Sequence, residues 1–159
     1  MRIALFEPDI PQNAGALMRL AACLGVGIDI VGPPGFVLSD AKLRRAGLDY
    51  AVKAALTTHA GWEDFQSAVG PGCRLLLLTT KGDTDYRDAD YRAGDILMVG
   101  RESAGVPDFV HEAADLRLVI PLAEGMRSLN VATTAAMVLG EALRQTGGFP
   151  GDKERGQTP

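Results

Sequence analysis

The feature that most constrains the fold of this chain is the alternation of short apolar runs with segments of helical periodicity. Residues 75–79, 96–100 and 116–120 are mostly apolar runs of the length and composition found in strands buried on both faces of a parallel sheet. Each is far shorter than the ~20 residues that a membrane-spanning helix needs. The alternation predicts an α/β protein, with a parallel sheet and helices on both faces.

The clearest helical pattern covers residues 12–24. Its apolar stripe recurs at i, i+3, i+4 and i+7 and is formed by Leu17, Leu20, Ala21 and Leu24. Arg19 lies opposite that stripe, so we expect its side chain to face away from the core. The remaining pattern predicts strands over residues 3–6, 28–31 and 52–56. It also predicts a short helix that is capped by Ser39 or Asp40 and ends at Gly47. Further helices are predicted over residues 62–69, 107–114 and 128–145, and Ser128 is expected to cap the last of them.

Length and composition indicate one domain over residues 1–147 of the 159, followed by a tail, residues 148–159, that is too polar to fold and is predicted to be disordered. The first residues contain a glutamate and two prolines where a signal peptide would be apolar, which favours a cytoplasmic location for the protein.

Cys23 and Cys73 lack the spacing of metal ligands and are expected to be buried and reduced, so no bound metal is expected. The net charge of −4 argues against nonspecific polyanion binding, although a local basic patch would suffice for RNA.

The first unusual strand end is the segment 7–15, EPDIPQNAG, which follows the first predicted strand and opens the first helix. A dinucleotide-binding fold places a Gly-x-Gly-x-x-Gly turn at this point, and that fingerprint is absent, as is a P-loop. Gln12, Asn13 and Arg19 bring polar groups to the strand end instead. Asn13 could be no more than a helix cap, but three polar groups together favour a binding or catalytic role.

Two further strand ends carry glycine-containing loops, and ligands of open α/β sheets bind beyond such ends. The segment 100–107, GRESAGVP, has glycines that let backbone approach a ligand, with Glu102 between them. The alternative is a plain turn with a solvated glutamate. The segment 120–136, IPLAEGMRSLNVATTAA, combines Gly125 with Arg127, Ser128 and Asn130 before a helix of small residues.

These three segments together resemble the motifs of the SPOUT superfamily of RNA methyltransferases. The stretches PQNAGALMRLAACLG, LMVGRESAGVP and IPLAEGMRSLNVATTAA are similar to its three motifs in order, and the match extends over nearly the whole chain. The stretch LRRAGLDY and the EPDIPQN start resemble the branch of minimal tRNA 2′-O-methyltransferases that modify the wobble nucleotide, cytidine or a modified uridine, of leucine tRNAs. The resemblance implies a C-terminal trefoil knot, a homodimer with the active site at its interface, and no metal.

The resemblance also implies roles for individual residues. S-adenosylmethionine would be held by backbone at Leu78, Thr79, Gly100, Ile120, Leu122, Ser128 and Leu129. Arg19 would sit beside the ribose 2′-hydroxyl, and the catalytic centre would also include Glu102, Ser128 and Asn130. The anticodon stem-loop of the tRNA would be contacted by Arg44, Arg45 and Tyr50. Because a guanidinium stays protonated, we expect Arg19 to stabilise the developing alkoxide or to relay the proton through phosphate or water.

Two other functions fit the same sequence. The substrate could be another tRNA position or ribosomal RNA, although such relatives often carry an added RNA-binding domain that this chain has no room for. Alternatively, the chain could be a non-catalytic nucleotide- or S-adenosylmethionine-binding module of flavodoxin-like type. The polar trio Arg19, Ser128 and Asn130 argues against that module, because a pure binder has no need of all three at the ligand.

Overall fold

The structure, a computed structural model, describes residues 1–37, 55–70 and 72–152. Within these ranges seven strands form one sheet in which every neighbouring pair is parallel. The strands are β1 (Arg2–Phe6), β2 (Gly27–Val31), β3 (Leu56–His59), β4 (Leu75–Leu78), β5 (Thr84–Asp85), β6 (Ile96–Val99) and β7 (Leu116–Val119). Their order across the sheet is β3-β2-β1-β6-β4-β7-β5.

Helices cover both faces of the sheet, which confirms the predicted α/β arrangement. They are α1 (Pro11–Leu24), α2 (Trp62–Val69), α3 (Asp108–Ala113) and α4 (Val131–Thr146). The apolar faces of α1 and α4 form one core with alternate strand residues such as Ile3 and Leu5, while Ala4 and Phe6 point into a second core beneath α2 and α3. Within the described ranges, no helix has both the length and the apolar character to cross a membrane.

The ends of the two long helices follow from local chemistry. Helix α1 begins at Pro11, where a missing backbone N–H costs nothing, and ends before Gly25, whose φ of 67° is left-handed. Helix α4 is capped by Asn130, whose side-chain oxygen accepts hydrogen bonds from the backbone N–H groups of Ala132 (2.9 Å) and Thr133 (3.3 Å). The prediction that Ser128 caps this helix is therefore wrong, because only the residue next to the first turn reaches those N–H groups.

Other details differ from the sequence predictions. The strand expected over residues 52–56 is Leu56–His59, since pairing with β2 continues through Thr57 and Thr58 beyond the apolar run. Strand β5 has two residues and no apolar alternation, so the periodicity of the sequence did not predict this strand. Both cysteines, expected to be buried, are exposed. The helix predicted to end at Gly47 lies outside the described residues, and Phe149, assigned to the tail, packs against the core.

Strand β7 lies between β4 and β5 in the sheet, although both precede it in the chain. The turn that follows β4 therefore lies directly against β7. A Cβ atom on Gly82 would lie 2.7 Å from the carbonyl carbon of Leu118, and the Asp83 N–H donates to the carbonyl of Arg117 at 3.1 Å. Only a residue without a side chain fits at Gly82.

A buried polar cluster ties the first three strands together. Asp29 on β2 is 3% exposed, and its carboxylate accepts hydrogen bonds from Arg2 on β1. The same carboxylate lies 2.8 Å from Nε2 of His59 on β3, and Arg2 also donates to the Thr57 hydroxyl at 3.1 Å. Each buried polar group here has a partner, as burial requires.

We expect Gly82→Ala to lower the free energy of unfolding by about 1–3 kcal/mol, because the new methyl group would meet the backbone of β7. The matched control is Gly94→Ala, where the added Cβ would meet nothing within 4 Å. Urea denaturation of both variants measures the difference. Equal stability of the two variants would contradict the close approach of this turn to β7.

Candidate active site

A cavity of about 450 Å³ opens where the carboxyl ends of β4, β6 and β7 meet, which we call the carboxyl edge of the sheet. Three chain segments that follow these strands line it, together with the start of α4. All seven positions predicted to hold a cofactor lie in its wall, namely Leu78, Thr79, Gly100, Ile120, Leu122, Ser128 and Leu129. Its volume falls within the usual range for small-molecule sites.

The wall that follows β6 is a tight turn between Gly100 and Gly105. The N–H of Arg101 donates to the carbonyl of Gly105 at 3.0 Å, and the N–H of Gly105 donates back to the carbonyl of Arg101 at 2.7 Å. A Cβ on Gly100 would lie 2.7 Å from the carbonyl carbon of Gly105, which itself has a left-handed φ of 69°. Both glycines are therefore needed to bring this backbone against the cavity.

The remaining surface of the cavity combines an apolar floor with an open side. Leu118 and Val138 are buried beneath it and supply the floor. The loop after β7 forms another wall, in which Met126 and Leu129 stay exposed although they are large and apolar. An apolar wall that stays open to solvent is typical of a surface that a ligand or a second protein chain covers.

A chain of hydrogen bonds links the three predicted motifs beside the cavity. Asn13 Nδ2 donates to Oε1 of Glu102 at 3.0 Å, and Asn130 Nδ2 donates to Oδ1 of Asn13 at 3.0 Å. Because Asn130 also caps α4, the side chains of Glu102, Asn13 and Asn130 are fixed relative to the helix. The structure thus brings together two of the predicted catalytic residues, Glu102 and Asn130, through Asn13.

Two carboxyl groups meet at one end of this chain. Burial raises the pKa of Glu102 above its ordinary range, and its hydrogen bond with the Asp9 carboxyl raises it further. The same hydrogen bond lowers the pKa of Asp9 to about 2, helped by the hydroxyl of Ser103. Since neighbouring carboxylates resist double ionisation, Glu102 is the member of this pair that takes up a proton more readily.

Arg101 also lines the cavity, and its guanidinium forms an ion pair with the Glu7 carboxylate. Glu7 adopts a left-handed backbone conformation with φ 41°, which is uncommon for a residue other than glycine. Its N–H donates to the carbonyl of Val31 at 2.7 Å, so the backbone and the side chain of Glu7 are both held. Glu7 therefore holds the Arg101 side chain at the wall of the cavity.

The other predicted site residues lie elsewhere. Arg19 is exposed on α1, as its position opposite the apolar stripe predicted, and does not line the cavity. Arg44, Arg45 and Tyr50, predicted to contact RNA, lie outside the described residues. Sequence reasoning missed Glu7 and Asp9, although both stand in the quoted EPDIPQN stretch. In the described part of the chain, no group of three or more His, Cys, Asp or Glu residues could hold a metal ion.

Comparison with known proteins adds to this geometry. A protein similar to the chain is the tRNA (cytidine(34)-2'-O)-methyltransferase of Ancylobacter novellus, which is 54% identical over 150 residues, covering 94% of this chain and 95% of the relative. A solved structure concerned with the 2-OH methylation of C/U34 on tRNA superposes with a TM-score of 0.87 at 39% identity, covering 91% of this chain and 94% of that one.

A third similar protein was solved with its cofactor. The SpoU methyltransferase AviRb from Streptomyces viridochromogenes, in complex with AdoMet, has a TM-score of 0.80 and 27% identity, covering 91% of this chain and 60% of that one. The model of the SpoU rRNA Methylase family matches residues 1–140. The chain therefore belongs to the SpoU methylase family.

Proposed function

We propose that this protein transfers a methyl group from S-adenosylmethionine to the ribose 2′-oxygen of the wobble nucleotide, cytidine or a modified uridine at position 34, in leucine tRNAs. The observation that carries this proposal is the cavity at the carboxyl edge, where all three motifs meet beside the hydrogen-bonded chain Glu102–Asn13–Asn130. Relatives that match nearly the full length of the chain are named tRNA (cytidine(34)-2'-O)-methyltransferases.

The residues present fit S-adenosylmethionine. The Gly100–Gly105 turn places glycine backbone in the wall of the cavity, so a planar base and its ribose could approach that backbone closely. Leu78, Ile120 and Leu122 would supply apolar contacts to the cofactor, and Thr79 and Ser128 would supply polar ones. When bound, the cofactor supplies a methyl group already activated by a sulfonium, so the protein's own contribution is placement of the 2′-oxygen.

The attacking hydroxyl loses its proton during transfer, and Arg19 is the residue we assign to the developing charge. Its guanidinium stays protonated and cannot accept the proton, so it stabilises the developing alkoxide electrostatically while the proton leaves through phosphate or water. Asn130 lies at the start of α4, where the positive end of the helix dipole favours negative charge, and Ser128 precedes it in the wall of the cavity. Arg44, Arg45 and Tyr50 would contact the anticodon stem-loop by charge and stacking.

The position of Arg19 supports a homodimer whose active sites are shared. Arg19 is exposed on α1 outside the lining of the cavity, and the wall containing Met126 and Leu129 is open. A second subunit that covers the open wall could bring its own Arg19 to the ribose. This arrangement would also concentrate basic groups of both subunits at one RNA-binding surface, although each chain has a net charge of −4.

We also infer that the C-terminal half is knotted and that the enzyme works in the cytoplasm with its tRNA substrate. The position of β7 between β4 and β5, with the Gly82 turn against its backbone, supports a chain threaded through the preceding connection. True knots are very rare among folds, so this topology would be a specific mark of the family.

The purified protein should transfer label from S-adenosylmethionine to an unmodified leucine tRNA transcript, at the wobble ribose. Mass spectrometry of nuclease digests locates the label, and a transcript with a 2′-deoxy wobble nucleotide is the matched control, because it lacks only the accepting oxygen. Label at another tRNA position or in ribosomal RNA would show a different substrate. Cofactor binding without transfer to any RNA would show a non-catalytic module.

Gly100→Ala should weaken S-adenosylmethionine binding by at least about tenfold, because the added methyl group would force the Gly100–Gly105 turn apart. Titration calorimetry measures the dissociation constant. Gly94→Ala, whose Cβ meets nothing within 4 Å, should bind as the unsubstituted protein does. Unchanged affinity in a folded Gly100→Ala protein would place the cofactor elsewhere.

Arg19→Ala should keep cofactor affinity but lose turnover by on the order of 100-fold, since it removes charge stabilisation in the transition state. Arg87→Ala, which removes an exposed arginine paired with Asp85, is the matched control and should retain turnover. Mixed dimers of Arg19→Ala and Glu102→Ala subunits should regain part of the activity if Arg19 acts in its partner's site. If the Arg19→Ala protein keeps full turnover without a partner of another variant, Arg19 has no catalytic role.

A further inference from the structure

The strand order places the loop after β1 between two others. Because β1 lies between β2 and β6, and all three are parallel, the loops that follow them emerge side by side at the carboxyl edge. Asp9 stands in the middle loop. On one side, a Cβ on Gly35 would lie 3.1 Å from the Cα atom of Asp9, and the Gly35 N–H donates to the Pro8 carbonyl at 2.9 Å.

On its other side, Asp9 contacts the cavity wall at three points. Its N–H donates to Oε2 of Glu102 at 3.1 Å, and its Oδ1 accepts from the N–H of Glu102 at 3.2 Å. Its Oδ2 accepts a hydrogen bond from the hydroxyl of Ser103. The ion pair between Glu7 and Arg101 joins the same two segments, so residues 7–9 hold residues 101–103 through both backbone and side chains.

We propose that Asp9 is a positioning residue for the methyl transfer, holding the Arg101–Ser103 wall of the cavity and, through Glu102 and Asn13, fixing Asn130 at the start of α4. The inference rests on the proposed function for the reaction that it serves. Asp9 itself does not line the cavity, so it acts through Glu102 rather than on the substrate.

The chemistry of the contacts predicts which substitutions Asp9 tolerates. Alanine would leave the N–H of Glu102 and the hydroxyl of Ser103 without their acceptors. Asparagine keeps an oxygen for the N–H of Glu102, and its amide can donate to the Ser103 hydroxyl, whose proton rotates to suit. Asparagine removes the negative charge together with the carboxyl group whose hydrogen bond helps to raise the pKa of Glu102. The two variants therefore separate hydrogen bonding from charge.

The experiment compares Asp9→Ala, Asp9→Asn and the unsubstituted protein, with Asp88→Asn as the control for removing an exposed carboxylate elsewhere. Calorimetry gives cofactor affinity, and single-turnover assays with leucine tRNA give the transfer rate. Hydrogen–deuterium exchange follows the amides of residues 101–105 without any ligand. NMR titration of the glutamate carboxyl groups measures the pH at which Glu102 loses its proton. The Glu102 signal is assigned by its absence in Glu102→Gln.

For Asp9→Ala we expect faster amide exchange at residues 101–105, cofactor affinity weaker by about tenfold and a transfer rate lower by on the order of 100-fold. Asp9→Asn should recover most of the rate and affinity while the Glu102 titration moves to lower pH, because the carboxyl group of Asp9 that helps to raise the pKa of Glu102 is gone. The other side chains that contact this pair are those of Asn13 and Ser103, and both are unchanged in all variants.

Three results would overturn the proposal. One is a rate and affinity for Asp9→Ala within twofold of the unsubstituted protein. Another is a loss that matches only the unfolded fraction measured by circular dichroism, with exchange at residues 101–105 unaltered. A third is failure of Asp9→Asn to restore more than Asp9→Ala does. If the unsubstituted protein transfers no methyl group to tRNA, the proposed function fails, while exchange and the Glu102 titration still decide the role of Asp9.

Discussion

The whole structure depends on the parallel pairing of its strands. When every strand runs in the same direction, every carboxyl end reaches the same edge, and the loops that follow must share that edge. Segments far apart in sequence, after β1, β6 and β7, thus become neighbours without any long side chain to reach between them. The cavity and the hydrogen bonds beside it are consequences of this one directional constraint.

Within that edge, rigidity comes from backbone as much as from side chains. The Gly100–Gly105 turn closes with two backbone hydrogen bonds, and Asn130 satisfies the first free N–H groups of α4 while its amide reaches Asn13 on α1. Helix starts and strand ends are therefore linked by short polar contacts. A site built in this way needs little reorganisation when a ligand binds, which lowers the entropic cost of binding.

Much of the fold could be predicted from sequence because apolar periodicity reports burial directly. The strands at residues 75–78 and 96–99 and the helices at 12–24 and 62–69 follow from it, and the glycine loops identified the segments of the cavity. Strand β5 could not be predicted, because two edge residues carry no period. Asp9 was missed for a related reason, since its partners Glu102 and Ser103 lie more than 90 residues away and only the strand order brings them together.

The Asp29 cluster has a consequence for how the sheet can assemble. Its carboxylate is bound by Arg2 from one neighbouring strand and faces His59 from the other. If either pairing slipped by one residue, the side chains of that strand would exchange faces and Asp29 would lose a partner while remaining buried. A misaligned pairing of β1, β2 and β3 is thus disfavoured electrostatically as well as by the loss of apolar contacts. The cluster therefore favours one register among these three strands.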